Sequence, residues 1–335
     1  MHAFPLGGSV IGVCYGMVGD NLPSPVEVIA MYKSFHIGHM RLYEPNPSAF
    51  EALRKSGIEV LVGVSNGDIQ QLANSYRAAK YWVRKYIRPY WPDVHFRYIA
   101  VGNEVIPGYY AQYVLPAMQN LHNALSVGGL WHHIKVSTSV ATSVMGISYP
   151  PSAGAFSIDT VNYMVPITRY LLSIGAPLLA NVYPYFSYIE DPRDISLDYA
   201  LFTSRNVVVR DGSLAYFNLF DSIVDALHAS LEKAGAAKVQ VVVSETGWPS
   251  AGNGQVASTW NARVYNSYLI RHVLSSGGTP MRPGKPIETY LFAMFNENRK
   301  GGAAVEQHWG LFYPNKRPVY PITFSNIVLL DSQII

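Results

Sequence analysis

The chain has 335 residues, 49% of them hydrophobic and 14% charged, so it has the material for a large core and is not a disordered chain. Its 25 basic and 22 acidic side chains leave a net charge of +3 and no basic block, which argues against nucleic acid as a partner. No apolar run is long enough to cross a membrane, because Arg169 and prolines break the best stretch, and the lone cysteine, Cys14, excludes an internal disulfide.

The opening "MHAFPLGGSV" has neither the basic start nor the long apolar centre of a signal peptide. Residues 1–9 read as an N-terminal extension. From there a unit recurs: a short apolar run, a loop of small or polar residues, then a helical stretch. The runs are "VIGVCYG", "HMRLY", "IEVLVGV", "YIAVGNEV", "IKVSTSV", "PLLANVYPY", "VQVVVSETG" and "TYLFAMFNEN". After the first, "SPVEVIAMYKSF" offers Ser24 as a helix N-cap and Pro25 at the first helical position. After the second, "NPSAFEALRKSG" predicts a helix ending at Gly57. Between the sixth and seventh, "VVVRDGSLAY" places Asp211-Gly212 between β-rich runs, a hairpin signal. A small insertion subdomain is therefore expected at about residues 186–216. "FNLFDSIVDALHASLEKAG" then predicts a helix closed by Gly235.

Continuous apolar strands alternating with helices indicate a parallel sheet covered on both faces. Eight such units predict a (β/α)8 TIM barrel over residues 10–324. The rival, an open doubly wound sheet, lacks a Gly-rich phosphate loop after its first strand. The tail, 325–335, is apolar and has no place in the repeat; a removable extension and an extra packing strand both remain open.

In such a barrel the working groups gather at the C-terminal ends of the strands. That rule selects Tyr43 and Glu44, Asn103 and Glu104, Asn181 and Tyr183, then Glu245, and finally Glu297 with Lys300 and Glu306 in its loop. "IAVGNE" and "VVVSET" each run a dry strand into a glutamate. A buried carboxylate is costly unless paired or hydrogen-bonded. Either glutamate alone is explained as an anchor for an arginine or a loop amide. Two of them at strand tips of one barrel favour catalysis. The histidines are scattered and none stands at a tip beside a carboxylate, so a metal site is disfavoured. No G-x-S-x-G elbow exists, and Cys14 sits inside a strand. Two carboxylates in an aromatic-lined cleft suit cleavage of a glycosidic bond, which needs a proton donor and a second carboxylate across the sugar.

At "VGNEV" and "SETGWPSAG" the sequence resembles the plant β-1,3-glucanases of glycoside hydrolase family 17. The likeness runs through "MRLYEPN", "LANVYPYFSYI", "FAMFNENRK" and "WGLFYPNKRPVYPI" and covers nearly the whole chain. It implies a (β/α)8 fold with Glu104 as general acid/base and Glu245 as nucleophile. Asn103 would bond the sugar 2-hydroxyl and Tyr183 would line that subsite. Glu297, Lys300 and Glu306 match a polar cluster supporting the nucleophile. Tyr43, Phe186 and Trp309 are further candidates for the cleft wall, with core packing an equal explanation, and Asn181 belongs with the substrate-contacting tips. Glu44 and Trp309 depart from the family pattern, where Asp and Phe are usual. The resemblance implies a retaining endo-hydrolase of β-1,3-glucan that needs no cofactor; a monomer is the default expectation. A mixed-linkage β-1,3-1,4-glucanase and a glucan-binding protein without turnover are the alternatives. Family members are secreted to the wall or sent to the vacuole, and the basic isoelectric point of about 8.7 with the apolar tail favours the vacuole. No N-x-S/T sequon occurs, so no N-glycan is expected.

Overall fold

A computed structural model describes residues 10–325. The expected N-terminal extension, and all but the first residue of the expected tail, lie outside the described residues. Eight parallel strands close into a barrel: β1 (Ile11–Cys14), β2 (His39–Leu42), β3 (Glu59–Val64), β4 (His95–Asn103), β5 (Lys135–Ala141), β6 (Leu178–Asn181), β7 (Val241–Thr246) and β8 (Thr289–Leu291). Each pairs with its sequence neighbour, and β8 returns to β1 with Thr289 opposite Ile11. Most of the strands read as largely apolar runs because helices cover them outside and side chains fill the barrel inside.

The ladder slips at the two tips that carry the glutamates. Between β4 and β5 the register shifts between Ala100 and Asn103, and between β7 and β6 it shifts between Val243 and Glu245. Such irregularities re-aim side chains near a strand end. Gly102 serves the first of them. Its φ of +81° is in the left-handed region that favours glycine.

The outer helices are α1 (Pro25–Ser34), α2 (Pro47–Leu53), α3 (Ile69–Asn74), α4 (Tyr76–Tyr86), α5 (Ala111–Ser126), α6 (Val161–Ile174), α7 (Pro184–Glu190), α8 (Leu197–Ala200), α9 (Leu219–Lys233) and α10 (Thr259–Leu274). α1 starts as the sequence predicts. The Glu27 carboxylate accepts from the Ser24 backbone N–H at 3.0 Å and from its hydroxyl at 2.8 Å. α9 also ends as predicted, with Gly235 at φ +77° and the Ala236 N–H donating to the Leu231 carbonyl at 2.8 Å. α2 does not run to Gly57. It stops at Leu53, because Lys55 turns left-handed at φ +56° and donates its N–H to the Asp93 carbonyl at 2.7 Å.

The expected hairpin forms between Val209–Asp211 and Leu214–Tyr216, with Asp211 opposite Leu214 and Gly212 at φ +60°. Two further ribbons were not predicted, Met145–Ile147 against Ala155–Phe156 and Gly278–Thr279 against Arg282–Pro283. Their ladders are too short for a period-2 pattern to show. The regular part of β8 ends at Leu291, so Glu297 is not at a strand tip in the strict sense. The chain continues extended between its neighbours: Phe292 N–H donates to Thr246 at 2.7 Å and Met294 N–H to Cys14 at 2.8 Å. Among the described residues β8 is followed by a 3-10 turn, Ala304–Gln307, instead of a helix.

Candidate active site

β7 is buried throughout, and its penultimate residue Glu245 is 6% exposed. Such a carboxylate must be satisfied from within the protein. Three side chains do so. Tyr43, just beyond β2, donates its hydroxyl to Oε1 at 2.8 Å. Tyr183, just beyond β6, donates to Oε2 at 2.7 Å. Arg41 on β2 places Nη1 2.9 Å from Oε1.

Arg41 was not among the residues singled out from the sequence. It is 1% exposed and threads the upper layer of the barrel. Nη1 also donates to Asn181 Oδ1 at 3.0 Å and to the Ser244 carbonyl at 2.8 Å, and Nη2 donates to Asn103 Oδ1 at 2.8 Å. The signal was present: a charged residue in the middle of "HMRLY" has no place in a dry strand unless an opposite charge waits inside.

Glu104 stands just past β4 with φ +55°, a region rarely used by a side chain of that size. Its N–H is held by the Ser139 carbonyl at 2.9 Å. Asn66, another residue missed from sequence, pins the tip from the β3 side. It accepts from the Asn103 N–H at 2.9 Å and donates to the Asn103 carbonyl at 3.1 Å. The Glu104 side chain opens onto the cleft and receives one side-chain hydrogen bond, from Asn181 Nδ2 at 2.9 Å. The protein around it withholds water and raises its pKa above the ordinary carboxylate value, the Glu245 charge adds to the rise, and the Asn181 bond and Arg41 oppose it.

Asn181 is buried and lies under the cleft instead of in its wall. It bridges Glu104 and Arg41, and its Nδ2 also donates to Asn103 Oδ1 at 2.9 Å. With Oδ1 taken by Arg41 and Asn181, Asn103 has its amide N–H groups left to offer a ligand.

The remaining residues singled out from the sequence line one cleft of about 610 Å³ with Glu104 and Glu245. Tyr183, Phe186 and Trp309 form an aromatic wall, with Trp309 ring centroids 5.2 Å from Tyr183 and 5.7 Å from Phe186. Phe292, not foreseen, completes it 6.0 Å from Trp309. Glu297 is buried, and its Oε1 accepts from the Val18 N–H at 2.9 Å. Lys300 does not turn to Glu245. Its ammonium lies 3.7 Å from Glu297 and 3.9 Å from Glu306, over the Phe292 ring at 4.1 Å. Cys14 is buried below, and burial pushes its thiol up to about 12, so it is not a nucleophile at neutral pH. Among the described residues no group of three His, Cys, Asp or Glu side chains is placed to hold a metal ion.

A closed (β/α)8 barrel with carboxylates at β4 and β7 facing an aromatic-walled cleft defines a glycoside hydrolase. The chain belongs to glycosyl hydrolases family 17, whose model matches residues 11–324. It is 53% identical over 329 residues to a glucan endo-1,3-beta-glucosidase of Vitis vinifera, covering 97% of this chain and 94% of the relative. It is 50% identical over 324 residues to the basic vacuolar isoform GLB of that activity from Nicotiana tabacum, covering 95% of this chain and 86% of the relative. Among solved structures, CJP38, a beta-1,3-glucanase and allergen of Cryptomeria japonica pollen, superposes with a TM-score of 0.92 at 48% identity, covering 94% of this chain and 99% of that one.

Proposed function

We propose that the protein is an endo-acting hydrolase of linear β-1,3-glucans of the callose and laminarin type, working with retention at the anomeric carbon. The observation that carries this reading is the unlike treatment of two carboxylates in one cleft. Glu245 receives an arginine and two tyrosine hydroxyls, which suits a group that must stay ionised. Glu104 receives one amide and a raised pKa, which suits a group that must hold a proton.

In the first step Glu245 attacks the anomeric carbon. The bond from that carbon to the leaving oxygen breaks as Glu104 delivers its proton to that oxygen. A glycosyl ester on Glu245 results. In the second step Glu104, now a carboxylate, takes a proton from water while the water oxygen attacks the same carbon. The Glu245 carboxylate leaves and Glu104 is protonated again. Asn103 donates to the sugar 2-hydroxyl, and the wall of Tyr183, Phe186, Phe292 and Trp309 holds glucose rings by their apolar faces. The Glu297–Lys300–Glu306 cluster closes one side of the cleft. No step needs a metal or cofactor. The protein acts as a monomer, and its likeness to a relative named as a vacuolar isoform supports the vacuole over the wall.

Laminarin and a mixed-linkage β-1,3-1,4-glucan, each followed by reducing-sugar release and by NMR of the first-formed anomer, test this reading. Release of β-anomers from laminarin is expected. Initial α-anomers refute retention, preference for the mixed glucan refutes the linkage, and no release from either refutes turnover.

A further inference from the structure

The helix α4 carries a cationic face that the catalytic cleft does not use. Arg77, Lys80 and Arg84 recur at i, i+3 and i+7 and so share one side of the helix, with Lys85 beside them. All four are exposed. Among the described residues none of them lies within ion-pair distance of a carboxylate. Tyr76 and Tyr81 stand among them, 42% and 52% exposed. The Arg84 guanidinium lies 5.6 Å from the Tyr81 ring centre and the Lys85 ammonium 5.8 Å from it.

Apart from Lys85, these side chains line a groove of about 850 Å³ between α3 and α4, in which Asp68 is the one carboxylate. Trp82 forms its inner wall, and the indole N–H has no hydrogen-bond partner. The groove shares no lining residue with the catalytic cleft.

The charge of the two depressions is opposite. Glu44, Glu104, Glu245, Glu297 and Glu306 face the catalytic cleft against Arg41 and Lys300. A polyanion is repelled there and attracted to α4. The ligand class follows from the remaining features. A bilayer would need an apolar helix face to insert, but the apolar face of α4, with Ala79, Trp82 and Val83, is turned inward and buried. Flat tyrosine rings in a concave groove suit sugar faces, and unpaired cations between them suit carboxylates on those sugars.

We propose that the α3–α4 groove is a second carbohydrate site that takes an acidic polysaccharide built of uronic acids. Tyr76 and Tyr81 stack on the rings, and Arg77, Lys80 and Arg84 pair with the carboxylates, with Lys85 adding to the positive field beside the groove. The chain is held there without being cut, next to a cleft that works on a neutral one. This inference goes beyond the function proposed above and does not depend on it.

Sodium polygalacturonate is the probe, titrated against the full chain by calorimetry at about 20 mM and about 200 mM salt. Binding is expected at low salt and should weaken steeply at high salt. Fully methyl-esterified polygalacturonate should bind poorly. The variant R77Q/K80Q/R84Q/K85Q should bind about tenfold more weakly or worse. Y76A/Y81A should also lose affinity but keep the salt dependence. Both variants should cut laminarin at the parent rate, which verifies their fold. Equal binding by the four-glutamine variant overturns the proposal, as does equal binding of the methyl ester. Tighter binding to single-stranded DNA or to phosphatidylserine vesicles than to polygalacturonate also overturns it. A parent that binds polygalacturonate and leaves laminarin intact would instead count against the function proposed above.

Discussion

Replacing Arg41 by methionine is the most incisive perturbation of this site. Methionine fills much of the same volume but removes the charge 2.9 Å from Glu245 and the donors to Asn103, Asn181 and Ser244. Deleting one partner of a buried ion pair costs about 3–5 kcal/mol, because the other charge stays behind in a poor solvent. The orphaned acceptors add to this, but they share one guanidinium, so the losses overlap. A total of about 4–6 kcal/mol is expected. With an unfolding entropy of about 2.1 cal/mol/K per residue, the melting temperature should fall by about 6–9 °C. Turnover on laminarin should fall about 10–100-fold or more, the worth of one hydrogen bond to a charge expressed as rate. Glu245→Gln added to Arg41→Met removes both buried charges together and should recover part of the lost stability. Arg41→Lys should fall between, since an ammonium keeps the charge but not the fork that reaches Asn103. If Arg41→Met melts within about 2 °C of the parent, Arg41 does not compensate Glu245, and the reasoning fails.

Tyr183→Phe keeps the ring in the aromatic wall and deletes the 2.7 Å bond to Glu245; kcat should drop about 10–100-fold with KM little changed, and a kcat within twofold of the parent would remove Tyr183 from the machinery. Gly16→Ala puts a methyl group 2.5 Å from the Glu297 carboxyl carbon; stability should fall by about 1–3 kcal/mol, and Glu297→Ala in the same chain should relieve the clash. A cost of Gly16→Ala as large in the Glu297→Ala background as in the parent refutes that contact. Asp225 is fully buried under the hairpin, and burial raises its carboxyl from 3.8 to about 6 while Tyr216 and the Met281 N–H bond it at 2.9 Å. The folded state thus holds this proton more tightly than the unfolded one, so its contribution is complete below pH 3.8 and is lost as pH rises to about 6. The stability difference between parent and Asp225→Asn should therefore shift by up to about 3 kcal/mol across that window, in favour of the variant at the upper end. Denaturant titrations at several pH values that give a constant difference would show that Asp225 carries no raised pKa.

The barrel was legible because its strands are buried on both sides, so most read as largely apolar runs and need no partner to be seen. The ends of α1 and α9 were legible for a different reason: capping is local chemistry, and Ser24, Glu27 and Gly235 act on residues within one turn. α2 ended early for a cause no window of sequence contains, the carbonyl of Asp93 some forty residues on. Arg41 escaped notice in the same way. Its charge was visible in "HMRLY", but its partners come from β4, β6 and β7, and only closure of the barrel brings them together.

The same distinction explains how two similar segments acquire different surroundings. "IAVGNE" and "VVVSET" present one residue type at one kind of position, and nothing in either segment says which glutamate should hold a proton. The difference is made by what the neighbouring strands contribute. β2 and β6 turn Arg41, Tyr43 and Tyr183 toward Glu245. Glu104 is left with one amide and the repulsion of Glu245 itself. The raised pKa of Glu104 is thus partly a product of the charge that Arg41 stabilises across the cleft. Neutralising Glu245 should bring the Glu104 carboxyl back toward its ordinary value. An isotope-edited titration of Glu104 in Glu245→Gln measures this directly. An unchanged titration would mean that exclusion of water alone raises the Glu104 pKa, and that the two carboxylates do not act as a coupled pair.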